Sequence, residues 1–404
     1  MRQAAFVYAP RFKEYDLGPS HPMRPLRVVR TYELVRACHL LEGDNIVFAS
    51  PSLADEDQIA LIHSQEYIDA VRAPSEGRPM PRPAEFGFGT VDNPIVRGLY
   101  QASALIVGGS VQAVDLVADG KVSAAFNPAG GLHHAHHARA AGFCVFNDLA
   151  IAIAHLLRRC GDGVKVAYVD IDAHHGDGVQ EAFYSRRDVL TISVHESGRF
   201  LFPGTGYPDE IGEGEGAGFS VNLPLAPNTT DEVYLWAFRE AVLPILEAFG
   251  PDFVVTQLGA DTHYRDPLTH MCLTTHGYAS VVDEIAARAP RWIATGGGGY
   301  DVTVVPRAWT LAFACMREIE APERIPESQA RRYRFENSSR PPASKGPKLR
   351  SAAQPEEKEL PFLHDQTSPT VVNMWAEVAR QTAAQSVHDI KERLFPYHGL
   401  KAEG

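Results

Sequence analysis

The sequence predicts an α/β protein with a mostly parallel central sheet covered by helices on both faces. Within residues 1–320, short apolar runs of strand length alternate with longer segments whose apolar residues recur three or four apart. Strands that alternate with helices are typical of parallel sheets, because each helix forms the crossover to the next strand. Polar and glycine-rich clusters follow several of the apolar runs directly. In α/β sheets, ligands bind beyond the carboxyl ends of the strands.

The predicted strands are short apolar runs that end at Gly, Pro, Asp or His. They cover residues 4–8, 45–49, 122–128, 164–169, 189–195 and 219–225, together with the runs DFVVTQ and RWIAT. The predicted helices have apolar residues at helical spacing and, in several cases, a capping residue at the start. They cover residues 26–41, 55–73 as two short helices, 97–119, 148–157, 178–184, 230–249, 275–289 and 304–319.

The composition changes after residue 320, so we predict three regions. Residues 1–320 form one catalytic domain. Residues 321–365 are rich in Pro, Ser, Lys, Arg and Glu and are predicted to form a poorly ordered linker. Residues 366–404 regain helical spacing and are predicted to form a C-terminal helical tail that packs on the domain or on a partner.

Charge and cysteine content narrow the class of protein. The net charge is −12, from 38 basic and 50 acidic residues, with no dense basic block. Direct nucleic-acid binding is therefore not expected, whereas an acidic surface favours a cationic partner.

The five cysteines show no CxxC spacing, which argues against a disulfide framework and for a reducing compartment. Without a signal-like segment or an uninterrupted apolar span, we expect a cytoplasmic protein that is not in a membrane. The sequence leaves its oligomeric state open.

A metal site is predicted around the segment YVDIDAHHGDG at residues 168–178. Side chains of an extended chain alternate faces, so Asp170, Asp172 and His174 can project to one side. Asp261 follows another predicted strand and can reach the same edge. We assign Asp172, His174 and Asp261 as ligands, because three ligands leave an open position for water or substrate. Zn²⁺ is the first choice of ion, with Fe²⁺ or Co²⁺ as alternatives.

A second cluster, GGLHHAHHARAAGFCVFND, contains four histidines within five residues. His133 and His134 directly follow a predicted strand and can serve as general base and acid for hydrolysis. Asp170 and Asp177 are carboxylates that can orient them. The alternative is a surface histidine tract, and His136 and His137 are expected to be exposed.

Two further residues have both a structural and a functional reading. Tyr300 follows four glycines and can donate a hydrogen bond to a developing oxyanion. In isolation it could equally be a core tyrosine. Asp92 precedes the predicted helix at 97–119, and from its position alone it reads as a helix-entry residue rather than a ligand contact.

Several co-linear motifs resemble those of the histone deacetylase family, in a class I-like form and particularly in its bacterial branch. The resemblance extends over roughly residues 5–320. It rests on HPMRP (21–25), GLHHA (131–135), GFCVFND (142–148), DIDAHHGDG (170–178), FPGTG (202–206), QLGADT (257–262) and GGGGY (296–300). It implies an arginase/deacetylase-like fold and a metal-dependent hydrolase that removes acetyl groups from Nε-acetyl-lysine.

The resemblance also implies a role for each matching residue. The metal ligands would be Asp172, His174 and Asp261, and His133 and His134 would form a tandem general base/acid pair. Asp170 and Asp177 would orient the histidines, and Tyr300 would polarise the carbonyl. Gly142, Phe143 and Phe202 would form the walls of a narrow apolar channel. Asp92 would hold the substrate backbone at the rim, which reverses the reading from its position alone. Arg27 would line an exit path for acetate.

Structural potassium ions are a further implication of the resemblance. One would lie beside the active site, at Asp170, Asp172, His174, Ser193 and Val194. Another would be bound through Phe183, Arg186, Val189 and Phe219. Arg186 and Phe219 depart from the residues that are common at the second site.

The function predicted from the sequence is a deacetylase for proteins, with metabolic enzymes such as an acyl-CoA synthetase as substrates. The cofactors would be one catalytic Zn²⁺ or Fe²⁺ per chain and structural K⁺. Alternatives on the same scaffold are a small-molecule amidohydrolase acting on acetylpolyamines, a non-catalytic protein that binds acyl-lysine, and an arginase-like hydrolase with two metal ions.

Overall fold

A computed structural model of the chain describes residues 1–330 and 361–402. Its centre is a sheet of eight strands in the order β2-β1-β3-β8-β7-β4-β5-β6, and every neighbouring pair is parallel. The predicted fold class is therefore confirmed. The strands in chain order are β1 Ala4–Val7, β2 Ile46–Ala49, β3 Ala124–Asn127, β4 Val166–Asp170, β5 Val189–Glu196, β6 Ser220–Leu225, β7 Phe253–Gln257 and β8 Trp292–Thr295.

All strands except β2 are buried along their whole length. Helices cover both faces of such a sheet, so its strands are continuous apolar runs rather than alternating ones. The helices are α1 Leu26–Ala37, α2 Glu56–Ile59, α3 Gln65–Arg72, α4 Leu99–Ala118, α5 Asp148–Cys160, α6 Asp177–Phe183, α7 Asp231–Ala237, α8 Leu243–Phe249, α9 Thr275–Ala286, α10 Val305–Met316 and α11 Asn373–Leu394.

Four adjacent strands end at the same level in the middle of the sheet. Asp170 at the end of β4 pairs with Gln257 of β7, which pairs with Thr295 of β8, which pairs with Asn127 of β3. The loops after these strands therefore leave the same edge side by side. These loops carry the predicted site residues.

One helical segment differs from the prediction. The single helix predicted over 230–249 is divided, because a π-helical turn at Phe238–Val242 separates α7 from α8.

Helix α4 is, among the described residues, the one helix long and apolar enough to cross a membrane, but most of it is buried inside the domain. Helix α4 packs against α5 and β3.

Both ends of the predicted linker are ordered and pack on the domain. Arg324 and Phe362 form an antiparallel bridge, and Leu363 is fully buried. The ion pair of Asp365 with Arg307 fastens this stretch further. Composition did not predict this, because the contacts join residues far apart in sequence. The part of the predicted linker from 331 to 360 lies outside the described residues. Helix α11 packs along the edge strand β6 and against α7.

Candidate active site

Asp172, His174 and Asp261 converge beyond the ends of β4 and β7. His174 Nδ1 lies 3.0 Å from Asp172 Oδ1 and 3.0 Å from Asp261 Oδ2. One ligand atom from each of the three residues fits within 4.8 Å, and all three side chains are buried. Asp172 and His174 occupy alternate positions in the turn after β4, whereas Asp261 comes from the loop after β7.

The chemistry of these donors fits a divalent cation. Burial, together with repulsion from Asp172, raises the pKa of Asp261 to about 6. A cation between two buried carboxylates removes this repulsion, and carboxylate with imidazole is a common set of ligands for Zn²⁺ and Fe²⁺. The backbone packs so closely around the candidate ligands that it leaves no room for a side chain at Gly298. A Cβ atom added at Gly298 would lie 2.1 Å from Asp261 Oδ2.

His133 and His134 lie side by side after β3, each backed by its own carboxylate. His133 Nδ1 is 2.7 Å from Asp170 Oδ2, and His134 Nδ1 is 2.7 Å from Asp177 Oδ1. The two Nε2 atoms are 3.0 Å apart. Since each Nδ1–H is donated to a carboxylate, the contact between the two Nε2 atoms needs one further proton, which both rings share.

The surroundings of the two rings give this proton a preferred position. Burial alone would lower the pKa of His133, but the carboxylates of Asp170 and Asp172 outweigh it and raise the pKa to about 9. Burial and the neighbouring charge of His133 lower the pKa of His134 to about 4. The shared proton therefore favours His133, and His134 Nε2 is the stronger candidate for the proton acceptor.

His136 is half-buried rather than exposed as expected, whereas His137 is exposed. His136 Nδ1 lies 2.6 Å from Glu181 Oε2, and its Nε2 lies 3.4 Å from Asp177 Oδ2. The reason is local, because Asp177 and Glu181 lie one turn apart on α6 and face this loop together.

Tyr300 ends the glycine turn after β8 and is buried, with its ring beside Phe143. Burial, followed by the negative charges of Asp261 and Asp172, raises the pKa of its hydroxyl well above the ordinary value. The hydroxyl therefore keeps its proton at neutral pH and can donate a hydrogen bond. Its backbone N–H donates to Asp266 Oδ2 at 2.7 Å.

Aromatic rings stand on two sides of the histidines and Tyr300. Phe202 packs edge-to-face on His134 with ring centroids 5.0 Å apart, and Phe143 packs edge-to-face on Tyr300 at 5.7 Å. Gly142 lies between them. A Cβ atom added there would lie 2.4 Å from the His134 ring. The three residues predicted to line a channel are thus together at the site, and Phe202 remains 45% exposed.

Asp92 and Arg27 lie at opposite ends of this arrangement. Asp92 is exposed, and its carbonyl accepts a hydrogen bond from His21 Nε2 at 3.2 Å. The ring of His21 packs on Phe143, which connects the loop of Asp92 with the aromatic wall. Arg27 is buried behind the glycine turn and donates to the carbonyls of Gly297 at 2.5 Å and Gly299 at 3.1 Å.

The residues predicted to bind potassium fall into two places. In the first set, Ser193 of β5 pairs with Asp170 of β4, next to the candidate metal ligands. In the second set, the side chain of Arg186 is paired with Asp188, and the carbonyl of Phe219 accepts the N–H of Thr191 at 2.9 Å.

Three buried polar residues belong to the site although the sequence did not single them out. Gln257 Nε2 donates to Asp172 Oδ2 at 2.6 Å. Asp148 accepts the N–H of Leu132 at 2.8 Å and thereby fixes the turn before His133. Asp266 accepts the N–H of Tyr300. One signal was available for Gln257, a polar residue at the last position of an apolar strand. Asp148 gave only a weak signal, as the first residue of the helix predicted over 148–157, and Asp266 gave none because it lies in a polar loop.

Comparison with known proteins agrees with this architecture. A sequence model of the histone deacetylase domain matches residues 21–316. The acetoin utilization protein AcuC of Bacillus subtilis (strain 168) is 41% identical over 333 residues, which cover 81% of this chain and 85% of that protein. AcuC of Staphylococcus aureus (strain MSSA476) is 39% identical over 318 residues, covering 77% of this chain and 81% of that protein.

Solved structures also match. The crystal structure of an HDAC homolog from Aquifex aeolicus has a TM-score of 0.82 at 28% sequence identity and covers 96% of this chain and 100% of that chain. The crystal structure of an HDAC homolog complexed with SAHA has a TM-score of 0.81 at 27% identity, with the same coverage.

The parallel sheet, with its buried ligand cluster and histidine pair at one edge, defines a hydrolase of the arginase/deacetylase fold. The relatives narrow this class further. The chain belongs to the histone deacetylase family, in its AcuC branch, as the motifs predicted.

Proposed function

We propose that this chain removes acetyl groups from Nε-acetyl-lysine in proteins, with acetylated metabolic enzymes such as an acyl-CoA synthetase as substrates. The observation that carries the proposal is the hydrogen-bonded pair of His133 and His134 beside the cluster of Asp172, His174 and Asp261. Amide hydrolysis needs a base for water and an acid for the leaving amine, and this pair offers one of each at neutral pH.

One divalent ion, Zn²⁺ or Fe²⁺, would be held by Asp172, His174 and Asp261. When bound, it supplies a Lewis acid that polarises the amide carbonyl and lowers the pKa of water. The protein residues do the rest. His134 Nε2, free of a proton, accepts one from the attacking water, and the protonated His133 gives one to the departing lysine amine.

Tyr300 would stabilise the oxygen on which negative charge develops. Its hydroxyl keeps its proton because the pKa is raised, so it can donate to an oxyanion. Phe143 and Phe202 would enclose the apolar stem of acetyl-lysine, and Gly142 would let the stem pass close to the backbone. Asp92, exposed at the rim, would accept N–H groups of the substrate backbone.

Structural K⁺ would accompany the catalytic ion. The first site, around Asp170 and Ser193, is supported by their pairing next to the metal ligands. The second, around Arg186 and Phe219, has less support, because these two residues depart from those that are common at that site. Thermal unfolding in KCl and in NaCl at equal ionic strength tests both, since bound K⁺ predicts a higher melting temperature in KCl.

Turnover of a fluorogenic acetyl-lysine peptide by the metal-loaded protein tests the main proposal. Replacing Tyr300 by Phe removes one oxyanion donor and should lower kcat on the order of 100-fold or more. His134→Ala should also lower kcat, whereas the matched control His137→Ala, at an exposed position, should retain wild-type activity. Activity that is absent in the wild type, or unaffected by both active-site substitutions, would refute the proposal.

An acetylpolyamine measured alongside the peptide separates protein from small-molecule substrates. If Asp92 holds a peptide backbone, then Asp92→Ala should raise KM for the peptide and leave KM for the acetylpolyamine unchanged. A higher kcat/KM for the acetylpolyamine would instead favour a small-molecule amidohydrolase.

A further inference from the structure

A segment beyond the family match returns to the domain and fastens there. The histone deacetylase match ends at residue 316, whereas residues 361–365 lie against the domain. Ile325 N–H donates to the carbonyl of Pro361 at 2.6 Å, and Leu363 N–H donates to the carbonyl of Glu323 at 3.1 Å. With Leu363 fully buried, these contacts fix the position of the residues that follow, among them Asp365.

The carboxylate of Asp365 is buried among hydrogen-bond donors from separate elements. Oδ1 accepts from Arg307 Nη2 of α10 at 2.8 Å. Oδ2 lies 2.7 Å from His263 Nε2 in the loop after β7, and accepts the N–H of Thr275 at the start of α9 at 2.8 Å. Burial alone would raise the pKa of Asp365, but the interactions with His263 and Arg307 outweigh it and lower the pKa, so the group is ionised at neutral pH.

His263 transmits this anchoring to the candidate active site. Its Nδ1 accepts the N–H of Arg265 at 3.2 Å, so its Nε2 carries the hydrogen that is donated to Asp365. Its carbonyl accepts the N–H of Asp266 at 2.9 Å, and Asp266 accepts the backbone N–H of Tyr300 at 2.7 Å. The loop 261–266 therefore begins with the candidate metal ligand Asp261, and its last residue accepts the backbone N–H of Tyr300. The C-terminal segment fixes the middle of this loop through His263.

We propose that Asp365 is a positioning residue for the reaction, acting through His263 to set the positions of Asp261 and Tyr300. This inference rests on the proposed function for its kinetic consequence. Uncharged contacts also hold the tail on the domain. Leu363 and the bond from Ser386 of α11 to the carbonyl of Pro224, at 2.7 Å, already hold the tail in place. The carboxylate is needed to order donors from three elements around one point next to the loop: Arg307 Nη2, His263 Nε2, and the N–H and hydroxyl of Thr275.

Asp365→Asn tests the proposal with little change in volume. Each of the contacts described above comes from a donor, so the new amide NH₂ must face a donor and displace it. Because a small misplacement of catalytic groups is costly, kcat should fall about ten-fold or more. KM for the acetyl-lysine peptide should stay the same, since none of the hydrogen-bond partners of Asp365 contacts Asp92.

Cobalt binding gives a readout that does not depend on turnover. The Asp365→Asn variant loaded with Co²⁺ should have a visible spectrum different from that of the wild type. Its affinity for Co²⁺ should be about ten-fold lower, as for substitution of other residues that orient metal ligands. The matched control is Ser386→Ala, which removes the buried hydrogen bond between the tail and Pro224 of β6. This bond does not involve the loop 261–266. It should keep the wild-type spectrum, Co²⁺ affinity and kcat.

The outcomes separate this inference from the proposed function. A wild-type protein without activity on acetyl-lysine would sink the proposed function, and Co²⁺ affinity alone would then decide about Asp365. Wild-type kcat and Co²⁺ affinity in Asp365→Asn, or equal losses in Ser386→Ala, would overturn the positioning role. If Asp365→Asn does not fold, Asp365→Glu keeps the charge beside Arg307, moves the carboxylate, and is judged by the same criteria.

Discussion

Gly142 and Phe143 both adopt left-handed backbone conformations, with φ of 50° and 69°. For phenylalanine this conformation is strained and persists only where the surroundings enforce it. Here the hydroxyl of Tyr15 donates to the carbonyl of Phe143 at 2.6 Å, and the Phe143 ring packs on Tyr300. The strain thus turns one aromatic wall toward the proposed oxyanion donor.

Gly142→Ala should lower kcat/KM for the acetyl-lysine peptide on the order of 100-fold, because small displacements of catalytic groups are costly. The added Cβ would lie 2.4 Å from the His134 ring and 2.8 Å from the Phe202 ring. Steady-state kinetics measure the loss. Gly120→Ala is the control, since Gly120 has a φ of 67° and nothing within 4 Å of an added Cβ. Equal losses in the two variants would mean that backbone strain, and not the clash, is responsible.

At the scale of elements, α11 completes the domain by covering the edge of the sheet. Strand β6 is the last strand in the sheet order, and an uncovered edge strand invites pairing with other chains. Helix α11 packs along it through a buried stripe. The apolar residues of this stripe recur three or four apart and are Ala379, Ala383, Val387, Ile390 and Leu394.

Ile390→Ala should lower the free energy of unfolding by about 2 to 5 kcal/mol, because the side chain is fully buried and leaves a cavity. Urea denaturation followed by circular dichroism measures the change. Val378→Ala on the same helix, where the side chain is 40% exposed, should cost far less. Similar values for the two variants would contradict the docking of α11 on the sheet.

For the molecule as a whole, the candidate ligand cluster connects the loops that follow two neighbouring strands of the central sheet. Asp172 and His174 follow β4 and Asp261 follows β7, and without a cation the buried carboxylates repel each other. An ion bound there therefore stabilises the whole fold and not only the site.

Zn²⁺ at 100 times its dissociation constant should raise the free energy of unfolding by about 2.7 kcal/mol over the chelated protein. Differential scanning calorimetry with and without a chelator measures this as a higher melting temperature. His174→Ala removes a ligand and should lose most of the metal-dependent increase. The same increase in that variant would show that the ion binds elsewhere.

The sequence by itself determined the strands, the fold class and the loops that bear the site. Buried parallel strands are continuous apolar runs, and clusters such as YVDIDAHHGDG directly follow them, so local reading was sufficient. The family motifs assigned a role to each residue and changed the reading of Asp92. Their positions at one edge agree with those assignments, and the roles stay predictions.

Only the tertiary structure decided which loops lie side by side and which charges meet. The order β3-β8-β7-β4 brings together strands far apart in the chain, and no local pattern encodes such pairing. The different pKa values of His133 and His134 depend on burial and on the carboxylates of Asp170 and Asp172, at and just beyond the end of β4. Asp365 meets His263 across 102 positions, in a segment whose composition predicted a linker. Long-range contacts are decided by packing of the folded chain, and composition does not record them.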